Sequence, residues 1–236
     1  ETMARQLYAM DLLGAEREVY AAAGVIQLHD IDARGRVLIS TGTSRARLFG
    51  MVAGSQQERS LGWLDGSNPV ALAADGSALL FLEGHGTAAS PEIQTWFRRF
   101  DGDDDTPVML ASGWGRALSP DKRWALLSPT PPYNTLRLVP TGAGNSIDLP
   151  TPGFRGLSRA HFFPDGARIT FTGIDHNGGH ALYVQQLSLM PGEQPIDPQP
   201  RRVGDGELML GAPPSPDGKS LVAWLKDGRK FLVDVE

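Results

Sequence analysis

Pro214-Ser215-Pro216-Asp217-Gly218, followed two residues later by the apolar run Leu221-Val222-Ala223-Trp224-Leu225, reads as a strand end, a tight turn and a second strand. The turn chemistry is specific. Proline presets φ, the aspartate side chain bonds its own backbone, and glycine accepts a positive φ. The same form recurs four times upstream. It is seen in Ile31-Asp32-Ala33-Arg34-Gly35 before VLIS, Leu72-Ala73-Ala74-Asp75-Gly76 before ALLFL, Leu118-Ser119-Pro120-Asp121-Lys122 before WALL, and Phe162-Phe163-Pro164-Asp165-Gly166 before ITF. Aligned on Arg34, Asp75, Asp121, Asp165 and Asp217, the copies are 41, 46, 44 and 52 residues apart. That period is the size of a four-stranded propeller blade, roughly 40–50 residues.

The outer half of the unit repeats as well. A third strand closed by a Gly or acidic turn follows each anchor, in RLFGMVAG from Arg47, TWFRRFDG from Thr95, TLRLVPTG from Thr135, ALYVQQLS from Ala181 and KFLVDVE from Lys230. A sixth copy, LYAMDLLG from Leu7, has no anchor before it. Residues 4–23 alone are rich in helix formers, but Tyr8, Met10 and Leu12 fall two apart, as on one face of a strand, and match the other copies. Short fourth strands are predicted at Glu16, Glu58, Pro107, Ser146 and Arg201. The chain is therefore expected to be all-β, a single domain over residues 1–236 made of four-stranded antiparallel blades. The orphan outer strands at 7–20 favour six blades with the first incomplete, against five with a strand borrowed from the other terminus. No helix longer than a turn is predicted.

Composition narrows function. Of the 236 residues 41% are hydrophobic and 21% charged, and 28 Gly with 18 Pro make about a fifth of the chain, which is globular rather than disordered or collagenous. A net charge of −5 leaves no overall electrostatic footprint for nucleic acid. No apolar run approaches the ~18 residues needed to cross a bilayer, and Glu1 opens the chain without a leader pattern, so a soluble piece of a longer protein is expected. The absence of cysteine removes disulfides, thiol nucleophiles and Cys-ligated zinc.

The Asp-Gly anchors resemble those of the TolB-like, WD40-like (PD40) propeller family, whose repeats carry S-P-D-G; the resemblance covers essentially the whole length and implies a six-bladed ring. Departures are Arg34-Gly35, Ala74 in place of Pro, and Lys122 in place of Gly. The segments QLHDIDARGRVLIS from Gln27, RSLGWLDGSNPVALAADGSALLF from Arg59 and LVPTGAG from Leu138 further resemble the propeller that follows the kinase region in some bacterial eukaryotic-like serine/threonine kinases. That resemblance implies a sensor or scaffold domain, on the extracytoplasmic side of a membrane or in the periplasm, with a cytoplasmic placement also open. The kinase signatures themselves are absent from these residues. Two rival contexts are a propeller gating a prolyl-oligopeptidase-like hydrolase and a free-standing periplasmic TolB-like scaffold.

Reactive motifs fail one by one. His176 and His180 are four apart, but Gly178-Gly179 puts them in a hairpin, where helical metal geometry does not hold. Asp101, Asp103, Asp104 and Asp105 read as an exposed acidic tip rather than a calcium loop. No G-x-S-x-G or H-E-x-x-H occurs. No catalytic residue, metal or cofactor is therefore expected, and all five tryptophans read as packing residues. Asp75, Asp121, Asp165 and Asp217 are expected to be structural turn residues. What remains is the innermost strand of each blade, which lines the channel in a propeller. Just ahead of the turns it carries His29 and Asp30, Asn68, Trp114 and Arg116, Arg159 and His161, and Leu210. His29, Asn68, Arg116, Arg159 and His161 are the candidate ligand-binding residues. Their chemistry suits a protein, peptide or small anionic ligand at the channel mouth, with Arg116 and Arg159 as charged donors.

Overall fold

A computed structural model of the chain describes residues 4–42, 45–51, 56–86, 91–100, 105–129, 133–149, 151, 153–187, 199–204, 208–225 and 227–235. All regular structure among them is β. Packing divides the chain into two compact units, residues 1–68 with 82–93, and residues 69–81 with 94–236.

The first unit opens with an antiparallel hairpin of β1 (Ala4–Met10) and β2 (Glu16–Ala23). This is the stretch whose composition favours helix. Leu12 lies in the connecting turn rather than in the strand, fully exposed beside Leu13, and Tyr8 and Met10 are exposed as well. The next strands, β3 (Val25–Ile31) and β4 (Val37–Gly42), pair with each other, as do β5 (Phe49–Met51) and β6 (Glu58–Ser60), but the two pairs form separate ladders. The reason is visible in the backbone before β5. The Ala46 amide donates to the Asp65 carbonyl at 2.9 Å and the Ala46 carbonyl accepts from the Ser67 amide at 3.1 Å, so these groups are committed elsewhere.

Strands β7 (Ser67–Leu72), β8 (Ala78–Gly86), β9 (Pro91–Arg99) and β10 (Val108–Ser112) form a sheet in the order β10-β9-β8-β7, and the first three of them run from one unit into the other. Within the first unit Glu83 interrupts the apolar run of β8, yet it is wholly buried. Its Oε1 accepts the Trp63 and Leu64 amides, each at 3.0 Å, and the Ser67 hydroxyl. A buried carboxylate is tolerated there because it ties down a loop whose donors would otherwise be unmet.

The second unit shows the repeat most plainly. Strands β11 (Trp114–Leu118), β12 (Trp124–Ser128), β13 (Leu136–Pro140) and β14 (Ile147–Leu149) form one four-stranded sheet in chain order. Strands β15 (Gly156–Phe162), β16 (Arg168–Ile174), β17 (His180–Gln186) and β18 (Arg201–Val203) form another, and β19 (Leu208–Pro214), β20 (Ser220–Leu225) and β21 (Lys230–Asp234) a third with three strands. The first strands of consecutive sheets lie side by side, β11 with β15 and β15 with β19. Apolar cores fill the gaps between consecutive sheets. Leu126, Leu136 and Leu138 of one sheet meet Leu157, Ile169 and Phe171 of the next, and Leu182 and Val184 meet Leu221 and Ala223. Second strands are covered on both faces, which is why WALL, ITF and LVAWL read as unbroken apolar runs. Each fully buried side chain of the size of Phe171 or Leu126 contributes about 1.5–3 kcal/mol.

Asp75, Asp121, Asp165 and Asp217 sit in the turns between first and second strands. Each accepts with Oδ1 the amide two residues ahead, from Ser77, Arg123, Ala167 and Lys219, at 2.8–3.1 Å. The turn backbone closes with Gly76, Lys122, Gly166 and Gly218 donating to the carbonyl three residues back. The first copy is built differently. There the turn is one residue shorter, and Asp32, not position 34, accepts the amides of Arg34 at 3.0 Å and Arg36 at 2.8 Å. The β1–β2 and β16–β17 turns use Asp11 and Asp175 in the same way. His176 thus lies in a turn closed by Asp175.

Lys122 occupies the glycine position with φ 63°, a left-handed conformation that costs a side-chain-bearing residue about 1 kcal/mol. Its ammonium reaches the preceding turn, 2.8 Å from both Asp75 Oδ2 and the Ser77 hydroxyl. The Lys122 hydrogen bond, with that of Ser77, holds the Asp75 carboxyl well below the usual carboxylate range. Lys122→Gly should therefore be more stable than Lys122→Ala by about 1 kcal/mol, since both lose the ammonium and only the first loses the strain; equal midpoints in urea would show that the strain is absent.

Gly173 in β16 lies beneath an aromatic cluster in which the Phe154 and Tyr183 ring centres are 4.7 Å apart and Phe171 is 5.7 Å from each. A Cβ at Gly173 would lie 2.6 Å from Phe154 Cε1 and 2.9 Å from Tyr183 Cε2. Gly173→Ala should cost about 1–3 kcal/mol by overpacking, read as a lowered Tm; an unchanged Tm would mean the cluster yields freely.

Candidate functional site

The first strands depart from regular pairing at the candidate positions. In β11, Gly115 pairs with Leu127 and Ala117 with Leu126, so Arg116 is an extra residue in a bulge. In β3 the pairing skips His29 in the same way, between Leu28 and Asp30. In β15, Ser158 pairs with Thr172 and His161 with Thr170, leaving Arg159 and Ala160 opposite Phe171, with Arg159 at φ 50°. A bulge re-aims side chains within a strand. This is how charged groups sit in the middle of strands that otherwise pack into apolar cores. Gly115 has its own reason to be glycine, because a Cβ there would stand 2.9 Å from Thr95 Cγ2 of the neighbouring sheet.

Arg116, Arg159 and His161 are brought together in the second unit. The Arg116 Nε donates to the Ser128 hydroxyl at 3.0 Å, and its guanidinium carbon is 5.9 Å from the centre of the Trp114 ring. Partial burial, and then the charge of Arg159, lower the Arg116 pKa, while Tyr133 acts in the opposite sense. His161 is pushed down to about 4, by burial first and by Arg159 second, so it is neutral at neutral pH. The other two candidates, His29 and Asn68, belong to the first unit and are exposed. The His29 Nε2 is 2.8 Å from the Ser40 hydroxyl, and the Asn68 Nδ2 donates to the Gly66 carbonyl at 3.1 Å. The side chain of Leu210 lies outside the described residues, as do Asp101, Asp103 and Asp104; Asp105 pairs with Arg98 at 3.1 Å. No group of three metal-ligating side chains gathers among the described residues.

A concavity of about 490 Å³ opens beside Arg116 at the end of the sheets where β11 and β15 begin, opposite the turns at Asp121 and Asp165. Trp114, Leu157 and Ile174 give it apolar walls, and Tyr133 and Arg155 complete it. Tyr133 has φ 58°, and its carbonyl accepts the Leu157 amide at 2.8 Å. Among the described residues no carboxylate pairs with Arg116, Arg155 or Arg159. Sequence reading overlooked Tyr133 and Arg155 because they stand in loops. The available signal was topological, since the loops leaving β12 and entering β15 surface at the same end as Trp114. Trp114 and Trp63 also correct the packing expectation for tryptophan, being 37% and 52% exposed. Trp124 is half-buried against the core.

The pattern of consecutive antiparallel sheets is shared with solved structures. A protein assigned as TolB from Agrobacterium tumefaciens superposes with a TM-score of 0.60 at 15% identity, covering 94% of this chain and 81% of that one. The likeness is one of fold. This chain has the fold of a TolB-like β-propeller. TolB from Acinetobacter baumannii matches with a TM-score of 0.56 at 16% identity over 98% of the present chain, which spans 60% of the length of that protein. No family model and no curated protein sequence matches. No helix among the described residues of the TolB-like domain is long and apolar enough to cross a membrane.

Within this propeller the neutral His161 has a measurable consequence. A histidine whose folded pKa is depressed favours folding above its unfolded value of about 6.5, and that contribution is lost as pH falls toward the folded value of about 4. The loss is on the order of 3 kcal/mol across that window. Wild type should therefore lose more stability between pH 7 and pH 4.5 than His161→Gln, measured by urea unfolding at each pH; parallel losses in the two proteins would refute the assignment.

Proposed function

We propose that the chain is a non-catalytic binding propeller of six blades, the first incomplete within these residues, that captures an anionic protein, peptide or small-molecule ligand through Arg116 and Arg159. The observation that carries this reading is electrostatic. Two guanidinium groups, one on the wall of an open concavity with its pKa lowered by the other, stand without a carboxylate partner among the described residues. Like charges held together in partly desolvated surroundings are costly, and an anion that pairs with both relieves that cost. The site offers guanidinium groups, aromatic rings and a neutral imidazole, a set suited to holding a ligand rather than to bond cleavage. The resemblance of the segments from Gln27, Arg59 and Leu138 supports a parent protein of the bacterial serine/threonine kinase type, with this propeller as its C-terminal, extracytoplasmic sensor or scaffold.

A peptide-display selection against the whole chain tests the binding reading directly. Selected peptides should be rich in Asp, Glu or a free C-terminal carboxylate, and should bind at least tenfold more weakly to the Arg116→Met/Arg159→Met variant. A selected pool indifferent to both substitutions, with the variant still showing a strand-type circular dichroism spectrum, would overturn it.

A further inference from the structure

The concavity next to Arg116 narrows the ligand class further, on the assumption that these cations do bind an anion. We propose that it takes a carboxylate carried on a large apolar or aromatic group, the carboxylate meeting Arg116 and Arg155 and the apolar group covering Trp114, Leu157 and Ile174.

Four observations converge. The volume, about 490 Å³, lies within the roughly 300–1,000 Å³ typical of pockets for small organic ligands. Arg116 and Arg155 stand on its wall and, among the described residues, no acidic one does, so the preferred charge is negative. The remaining wall is mainly apolar, with an indole ring that is 37% exposed and therefore available for stacking. A strongly hydrated polyanion such as phosphate would gain nothing from that surface and would lose water to reach it. A carboxylate on a ring uses both halves, because the planar guanidinium fork matches a carboxylate and the ring buries against indole, Leu and Ile.

The backbone adds independent support. Three non-glycine residues among the described ones have positive φ: Lys122, Tyr133 and Arg159. Lys122 is accounted for by its bond to the Asp75 turn. Tyr133 lines the concavity, and Arg159 perturbs Arg116 from beside it. Conformational outliers held in place by the surrounding fold concentrate at ligand sites, where they fix the geometry in advance. Here the Leu157 amide pins Tyr133 by its carbonyl, and the Ser128 hydroxyl orients Arg116 by its Nε.

The same chemistry comes from two sources, a free aromatic acid or the C-terminus of a peptide ending in a bulky apolar residue. Calorimetric titration of the whole chain with N-acetyl-tryptophan, with acetyl-Gly-Gly-Gly-Trp and with the C-terminal amide of each separates them. The free acids should bind at least tenfold more tightly than their amides and more tightly than acetate. Arg155→Met, at an exposed position outside the core, should weaken both acids at least tenfold, and Trp114→Ala should do the same, while Lys219→Met, an exposed cation in the Asp217 turn, leaves them unchanged. A tetrapeptide tighter than the acetylated amino acid by tenfold or more assigns a peptide terminus; equal affinities assign a free acid. If display-selected acidic peptides bind through Arg116 and Arg159 but the aromatic acids bind no better than acetate and Arg155→Met has no effect, the pocket assignment is wrong and the anion-binding reading stands. If neither class binds, both fall.

Discussion

The aspartate-closed turn between the first and second strands is the constraint from which each sheet of the second unit grows. One carboxylate oxygen accepts the amide two residues ahead while the residue between them takes a left-handed backbone, and the register of the first pair is fixed. Because side chains alternate with a period of two, that register decides which residues of the second strand meet the neighbouring sheet. The second strand then carries the core on both faces, and the third and fourth strands extend it outward with progressively weaker demands on sequence. The turns also touch one another. Lys122 bonds the turn before its own, and Arg168 lies 4.3 Å over the Phe163 ring and donates to the Gly218 carbonyl of the turn after.

At the other end of the same sheets the logic is reversed. Bulges in the first strands free Arg116 and Arg159 from the ladder, and loops bring Tyr133 and Arg155 alongside. The regular end supplies rigidity and the irregular end supplies chemistry. The Arg116 Nε is satisfied by the Ser128 hydroxyl that orients it, while its charge is left without a counter-ion among the described residues. Strain and uncompensated charge are features a fold retains where something else is meant to complete them.

Most of the strand inventory was legible beforehand because the repeat supplies five aligned views of one element, and a weak copy borrows the reading of a strong one. The segment at 7–20 shows this well, since its local propensity favours helix and only its place in the repeat identifies strands. Where local chemistry had alternatives the alignment misled. Asp32 and the pair Arg34-Gly35 fit a shorter turn, in which the carboxylate brackets the bend from its first position. The segment before β5 bonds to the entry of β7 instead of extending the β3–β4 ladder, a choice set by which backbone groups meet in space.

The sequence by itself determined the all-β class, the spacing of the strands and the residues at the turns, because each of these depends on contacts within a few residues and on a period of two or of forty-odd. It also pointed to His29, Asn68, Arg116, Arg159 and His161 as polar residues on the innermost strands. Only the tertiary structure decided that bulges free Arg116 and Arg159 from the ladder, that Tyr133 and Arg155 stand beside Arg116, that burial holds His161 neutral and that Trp114 is left open to solvent. Those outcomes depend on the register between two strands and on the approach of one sheet to the next, and long-range geometry of that kind is not written in any short stretch of the chain.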